Sequence, residues 1–120
     1  MAIVKLNLSG HDNQQLADMG FVTHKLHVNL ADADVAQKVA AFLAPMIGSG
    51  DTVHVAMPGL GALVAITTTS IHALCGSFPY MVTMIRNPDD GTFNPGPTID
   101  LQGFRNDTVR ANLRDGVVVL

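Results

Sequence analysis

Four short segments of this chain combine residue types suited to holding an anion: Ser9-Gly10-His11, Pro58-Gly59-Leu60-Gly61, Arg86-Asn87, and Gln102 with Arg105 and Asn106. Small residues leave backbone N–H groups free to face a ligand, and a helix that starts after Gly59 and Gly61 turns its positive end the same way. Arg86 and Arg105 supply guanidinium groups that grip phosphate oxygens in pairs, and His11 adds one imidazole. Taken singly, each segment also has a plain structural reading. "PGLG" fits neither the Walker pattern nor G-x-G-x-x-G, and as an isolated feature it reads as a tight strand-to-helix turn. "SGH" alone reads as a turn, and lone arginines are ordinary solvated residues. The argument for a site is that the four segments gather at one edge of the fold.

Other chemistries find less support. The five histidines are scattered, and none pairs at i, i+4 with a nearby acid. Cys75 is the single cysteine, so neither an intrachain disulfide nor a cysteine-rich zinc site can form, and a reducing compartment fits. We therefore expect no metal and no cofactor. Ser9 and Ser70 lack a nucleophile-elbow context. The acidic residues are ten Asp and no Glu, most of them at helix starts and turns where Asp serves local capping. No acid–base pair is legible, which leaves His11 as the one candidate for proton transfer if the chain cuts its ligand.

Positioning these segments requires a folded frame, and 120 residues with 48% hydrophobic and 14% charged side chains suffice for one domain over residues 1–120. The mean hydropathy of +0.29 and scarcity of charge imply apolar surface hidden in a homodimer or higher homo-oligomer. A net charge of −3 gives no general basic field, so long nucleic acid is not an expected partner, while a small anion held by local donors is compatible. From Thr52 to Ile85 no Asp, Glu, Lys or Arg occurs, but Pro58, Gly59, Gly61, Gly76 and Pro79 interrupt the run, so a membrane span is not expected. The first residues carry no basic and apolar leader pattern, and a cytoplasmic location is expected.

The periodicities predict an alternation of strands and helices. Strands are expected at Ile3–Leu8, Val22–Leu30, Asp51–Met57 and Tyr80–Ile85, and a short one at Thr98–Leu101. Helices are expected over Asn13–Met19, over Ala31–Ile47 with Asp32 or Asp34 as cap, over Leu60–Cys75, and over the segment "FRNDTVRANLR". "RNPDDGTFNPGP" reads as a loop, and "GVVVL" as a short terminal strand. Together these elements imply an α/β, three-layer Rossmann-like sandwich with a mostly parallel sheet. In such sheets ligands bind beyond the carboxyl ends of the strands, where the strand order reverses.

The segments "LNLSGH", "VAMPGLGALVA", "HALCGSFPYMVTMIR" and "IDLQGFRN" resemble the small CRISPR-associated accessory proteins of type III systems, relatives of the CARF domain, over residue 3 to about residue 110. The resemblance implies a CARF-like fold and recognition of a cyclic oligoadenylate messenger, in one group by sequestration and in another by ring opening. It marks Ser9, Gly10, His11, the turn from Pro58 to Gly61, His72, Gly76, Phe78, Pro79, Arg86, Gln102, Arg105 and Asn106 as family-like positions. The expected function is binding of cyclic tetra-adenylate across a homodimer axis, damping antiviral signalling. A metal-independent ring nuclease using the ribose 2′-OH is the alternative, and a Rossmann-like scaffold subunit that binds nothing is the second. The helix from Leu60 to Cys75 is apolar on more than one side, which predicts a second protomer as its outer cover.

Overall fold

The computed structural model describes residues 1–114. The strand expected at "GVVVL" lies outside the described residues. Strand β1 (Ile3–Asn7) pairs in parallel with β2 (Val22–Thr23) on one side and β3 (Thr52–Ala56) on the other. β4 (Tyr80–Arg86) adds to β3 in parallel, and β5 (Phe93–Asp100) adds to β4 in the opposite direction. The order β2-β1-β3-β4-β5 belongs to a doubly wound sheet. The chain steps outward from β1 to β2, crosses back through α2 (Val35–Leu43), and resumes at β3 on the far side of β1. The strand order therefore reverses between β1 and β3.

Two clusters hold the layers together. Leu6, Leu8, Val53 and Val55 from the sheet meet Val39, Leu43, Leu63 and Ile71 from α2 and α3 (Gly61–Cys75) on one face. On the other face Ala56 and Val82 meet Leu16 of α1 (Gln14–Asp18) and Phe21. The alternation along each strand divides its side chains between these two cores. The result is an α/β sandwich with helices on both faces of a mostly parallel sheet, as the periodicities imply. No described helix is long and apolar enough to cross a membrane.

Several boundaries differ from the sequence reading. The second strand covers Val22–Thr23 rather than Val22–Leu30, because only Leu6 and Asn7 of β1 face it and, among the described residues, no strand lies beyond it. Leu26 and Val28 still reach the core, from a loop. Helix α2 is shorter than expected, and neither Asp caps it. Asp34 makes no capping bond, and both Asp32 and Asp34 instead face Lys38 Nζ, at 2.9 and 3.4 Å. The expected proline- and glycine-rich loop contains most of β5. As an edge strand with a register shift opposite Val82–Met84, β5 tolerates Pro95 and Pro97, which sheets accept at edges and bulges. Helix α4 (Leu101–Arg114) follows β5 directly, with Asp100 Oδ1 accepting the Gly103 N–H at 2.9 Å.

The outer cover of α3 also departs from expectation. Leu63, Thr67, Ser70, Ile71 and Cys75 are buried, Ile66 and Leu74 pack against the same core, and α2 lies alongside. Its exposed side is Ala62, Ala65, Thr69, His72 and Ala73, and Leu60 is the one large apolar side chain left open at its start. The helix is covered within its own chain, so it supplies no reason for a second protomer.

Candidate clefts at the strand-order switch

The segment after β1 is built around Asn7, which is buried at the end of the strand. Its side-chain amide donates to the His11 carbonyl at 2.8 Å and to Thr23 Oγ1 at 3.2 Å. Its oxygen accepts from the Ser9 backbone N–H at 3.1 Å and from Ser9 Oγ at 2.6 Å. Every hydrogen-bonding group of that amide is thus committed to the turn, and Gly10 completes it at φ +85°. After β3, Pro58 is buried while Gly59 and Gly61 stand open, with no atom within 4 Å of where a Cβ would sit. Helix α3 then starts from an extended Leu60 with no side-chain cap and no acidic residue in its first turn.

These two turns lie side by side, as the β1–β3 pairing requires, and a cleft opens on each side of them. The larger, of about 520 Å³, has Met57, Met84 and Phe93 as apolar walls and Ser9, His11, Asp12, Asn13, Gln14, Gly59 and Thr92 around them. Asn13 fixes its outer wall. Its Oδ1 caps α1 by accepting the Leu16 N–H at 3.0 Å, and its Nδ2 donates to the Phe93 carbonyl at 2.9 Å. Gln15 reaches Asn94 Oδ1 at 3.0 Å, which ties α1 to β5 a second time. The smaller cleft, of about 250 Å³, lies between Ser9-Gly10, Lys25 to His27, Pro58 to Leu60 and Leu63. Ser9 and Gly59 border both.

The expected residues divide accordingly. Ser9, Gly10, His11, Pro58, Gly59 and Leu60 all line one cleft or both, and Gly61 begins α3 just behind them. Arg86 and Asn87 reach the same sheet edge but line neither cleft. Asn87 shapes the β4–β5 turn: its N–H donates to the Thr92 carbonyl at 2.7 Å, and its side-chain oxygen accepts the Asp89 N–H at 2.9 Å. Arg86 is exposed and lies over that turn, where a Cβ added to Gly91 would come within 3.7 Å of Nη2. Gln102, Arg105 and Asn106 are at the opposite edge. Because β5 runs antiparallel, Asp100 faces Tyr80 at the start of β4, and α4 begins there. Gln102 Oε1 accepts the Phe78 N–H at 2.9 Å, and Asn106 Oδ1 accepts from Gln102 Nε2 at 3.1 Å and Arg105 Nη1 at 3.2 Å. Gln102 ties α4 to the segment entering β4, Asn106 and Arg105 bond within the helix, and all three lie away from either cleft.

Among the lining residues the sequence reading missed are Asp12, Asn13, Met57, Met84, Thr92 and Phe93 on the larger cleft, and Lys25 and His27 on the smaller. Near Thr92, Asp90 Oδ1 accepts both the Thr92 N–H, at 2.9 Å, and its hydroxyl, at 2.7 Å. Those bonds, the hydroxyl's first, hold the Asp90 carboxyl below its ordinary pKa. The larger cleft therefore combines apolar walls with acceptor groups, a lining that suits an uncharged ring bearing N–H or O–H donors. His72 is exposed and packs on Phe78 at 4.4 Å between ring centres, and the Cys75 thiol donates to the Ser77 carbonyl at 3.3 Å. Among the described residues no three His, Cys or Asp side chains cluster closely enough to share a metal ion. Compared with protein-family models, curated proteins and solved structures, the chain matches none.

Proposed function

We propose that this chain binds a cyclic oligoadenylate, cyclic tetra-adenylate in the first instance, and holds it without cutting it. The observation that carries the reading is the cleft of about 520 Å³ at the strand-order switch, with Phe93, Met57 and Met84 facing Ser9, His11 and Asn13. Its size lies within the range of small-molecule sites, and its position is where doubly wound sheets take ligands. A purine stacks on Phe93, its exocyclic amine meets acceptors on the rim, and the ribose lies toward Ser9 and Gly59. The sequence resemblance supplies the messenger class, and sequestering it would damp type III CRISPR antiviral signalling.

Binding is favoured over cleavage by the surroundings of His11. The side chain is exposed, and among the described residues its imidazole has no hydrogen-bond partner to orient it. A general base works best when a partner fixes its ring and tautomer. Incubation with radiolabelled cyclic oligoadenylates of several ring sizes tests the reading. A gel shift with intact cyclic ligand is the expected outcome. Linear products lost in His11→Ala would replace it with the ring-nuclease reading, and no shift with any ring size would overturn it.

A further inference from the structure

Among the described residues few cations are free, and one of them stands in a cleft. Among the described residues Lys38 faces Asp32 and Asp34, and Arg110 faces Asp107. Lys5 Nζ donates to the Met19 carbonyl at 2.9 Å, and Arg105 is held by Asn106. Lys25 has no hydrogen bond or ion pair among the described residues, although the chain carries a net charge of −3. It lines the smaller cleft beside the exposed His27, and no carboxylate shares that lining. The opposite wall is the Pro58–Leu60 turn, where the bare Gly59 leaves backbone accessible. The uncapped first turn of α3 adds its partial positive charge from behind.

We propose that this smaller cleft is an anion subsite in which Lys25 and His27 hold a phosphate group. Lys25 is a point charge with three N–H donors, His27 contributes an imidazole N–H, and the turn contributes backbone N–H groups. The two clefts share Ser9 and Gly59, so a ligand whose ring enters the larger cleft extends its phosphate over that ridge into the smaller one. That second statement rests on the nucleotide reading above, whereas the subsite itself does not. The pair of clefts selects for a ring and a phosphate joined by a short linker, which a nucleoside without phosphate lacks.

The test separates the two statements. Inorganic pyrophosphate is titrated into isotope-labelled protein, wild type and Lys25→Gln/His27→Gln, while amide NMR signals are followed. In the wild type the amides of Gly10, Gly59, Leu60 and Ala62 should move together, and in the double variant they should stay in place. Absent or identical movements in the two proteins overturn the subsite, whatever cyclic tetra-adenylate does. Cyclic tetra-adenylate and adenosine are then titrated in parallel. Loss of a charge-assisted bond should weaken cyclic tetra-adenylate about ten- to hundredfold in Lys25→Gln and leave adenosine unchanged. Equal loss for both ligands would refute the phosphate role. Pyrophosphate binding without any binding of cyclic tetra-adenylate would leave the subsite standing and remove the nucleotide reading. Both side chains are exposed, so an unchanged circular dichroism melt is the expected folding control.

Discussion

Asn7 shows how one side chain can decide whether a ligand-facing turn exists. It is buried, and its amide group serves the Ser9 N–H, the Ser9 hydroxyl, the His11 carbonyl and Thr23. Truncation to alanine strands several of those groups, and an unmet buried partner costs about 1–3 kcal/mol. Asn7→Ala should lower the unfolding free energy read from urea titration by that amount and broaden the Ser9–His11 amide signals. Unchanged stability would mean that water replaces the amide. The turn residues themselves were legible, because Ser, Gly and His after an apolar strand read as a turn at its carboxyl end. Asn7 was not, since its burial depends on Thr23 and Ala56 arriving from distant parts of the chain. His54 is a second residue whose setting decides its behaviour. It stacks on Tyr80 at 4.6 Å between ring centres, and burial, followed by the charge of Lys5 beside it, holds its pKa below the ordinary 6.5. As pH falls below 6.5 the unfolded chain takes up a proton that the folded chain resists, so stability declines until the native value is passed. Asp51 acts in the same direction at lower pH. Backbone N–H groups of Gly48 and then Ala2 hold its carboxyl below 3.8, so its contribution persists above 3.8 and vanishes as pH falls through the native value. Of these two groups, His54 is the one whose titration falls between about pH 7.5 and 5.5. The urea midpoint should drop across that window in the wild type and flatten in His54→Phe, which keeps a ring against Tyr80; the same drop in both would discount the histidine.

The elements differ in how openly the sequence announces them. Helix α3 was legible from end to end because an apolar run bounded by Pro58-Gly59 and Gly76 has one economical reading, and Gly76 does close it at φ +93°. What covers α3 was not legible. Uniform hydrophobicity reports that a helix is buried on several sides but not by what, and here α2 and the sheet suffice. That distinction can be measured. Ile66 is half-buried against the core, so Ile66→Asp should cost about 1–3 kcal/mol for setting a polar group there and show it as a lowered melting midpoint. Ala62 is exposed, and Ala62→Arg should leave both the melting midpoint and the light-scattering mass unchanged. A fall in mass with Ala62→Arg would restore α3 as an interface. The first part of β5, Phe93–Pro97, was hidden for a different reason, while its end matches the short strand expected at Thr98–Leu101. Its prolines and glycine read as loop by local propensity, yet pairing along β4 from Arg86↔Phe93 to Tyr80↔Asp100 supplies the missing stabilisation. Missing the first half of β5 and its antiparallel direction had two consequences: Phe93 and Thr92 were not seen as cleft walls, and Gln102, Arg105 and Asn106 were assigned to the wrong end of the sheet.

At the scale of the molecule, the fold puts these two clefts on one edge and α4 on the other, so α4 leaves both clefts open. The alternation of apolar strands with helical segments made the sandwich legible, as did the rule that sites gather where strand order reverses. The strand order itself depends on which neighbours pair across the sheet, and no local pattern encodes that. A site built by β1, β3, α1 and β5 joins segments distant along the chain, so a ligand that fills it must stabilise the whole fold. At about one hundred times its dissociation constant, a ligand specific to the folded state adds about 2.7 kcal/mol. For a domain of this size that corresponds to a rise of about 10 °C in melting midpoint. Cyclic tetra-adenylate should produce such a rise in the wild type. Phe93 is 49% exposed, so Phe93→Ala should change the ligand-free midpoint little. Stacking of a base on an aromatic ring contributes about 1–3 kcal/mol, and a tenfold loss of affinity at the same ligand concentration would halve the rise. Phe93→Ala should therefore melt about where the wild type does without ligand, and gain at most about two-thirds as much with it. An undiminished gain in Phe93→Ala would move the base out of the larger cleft, even if the messenger still bound.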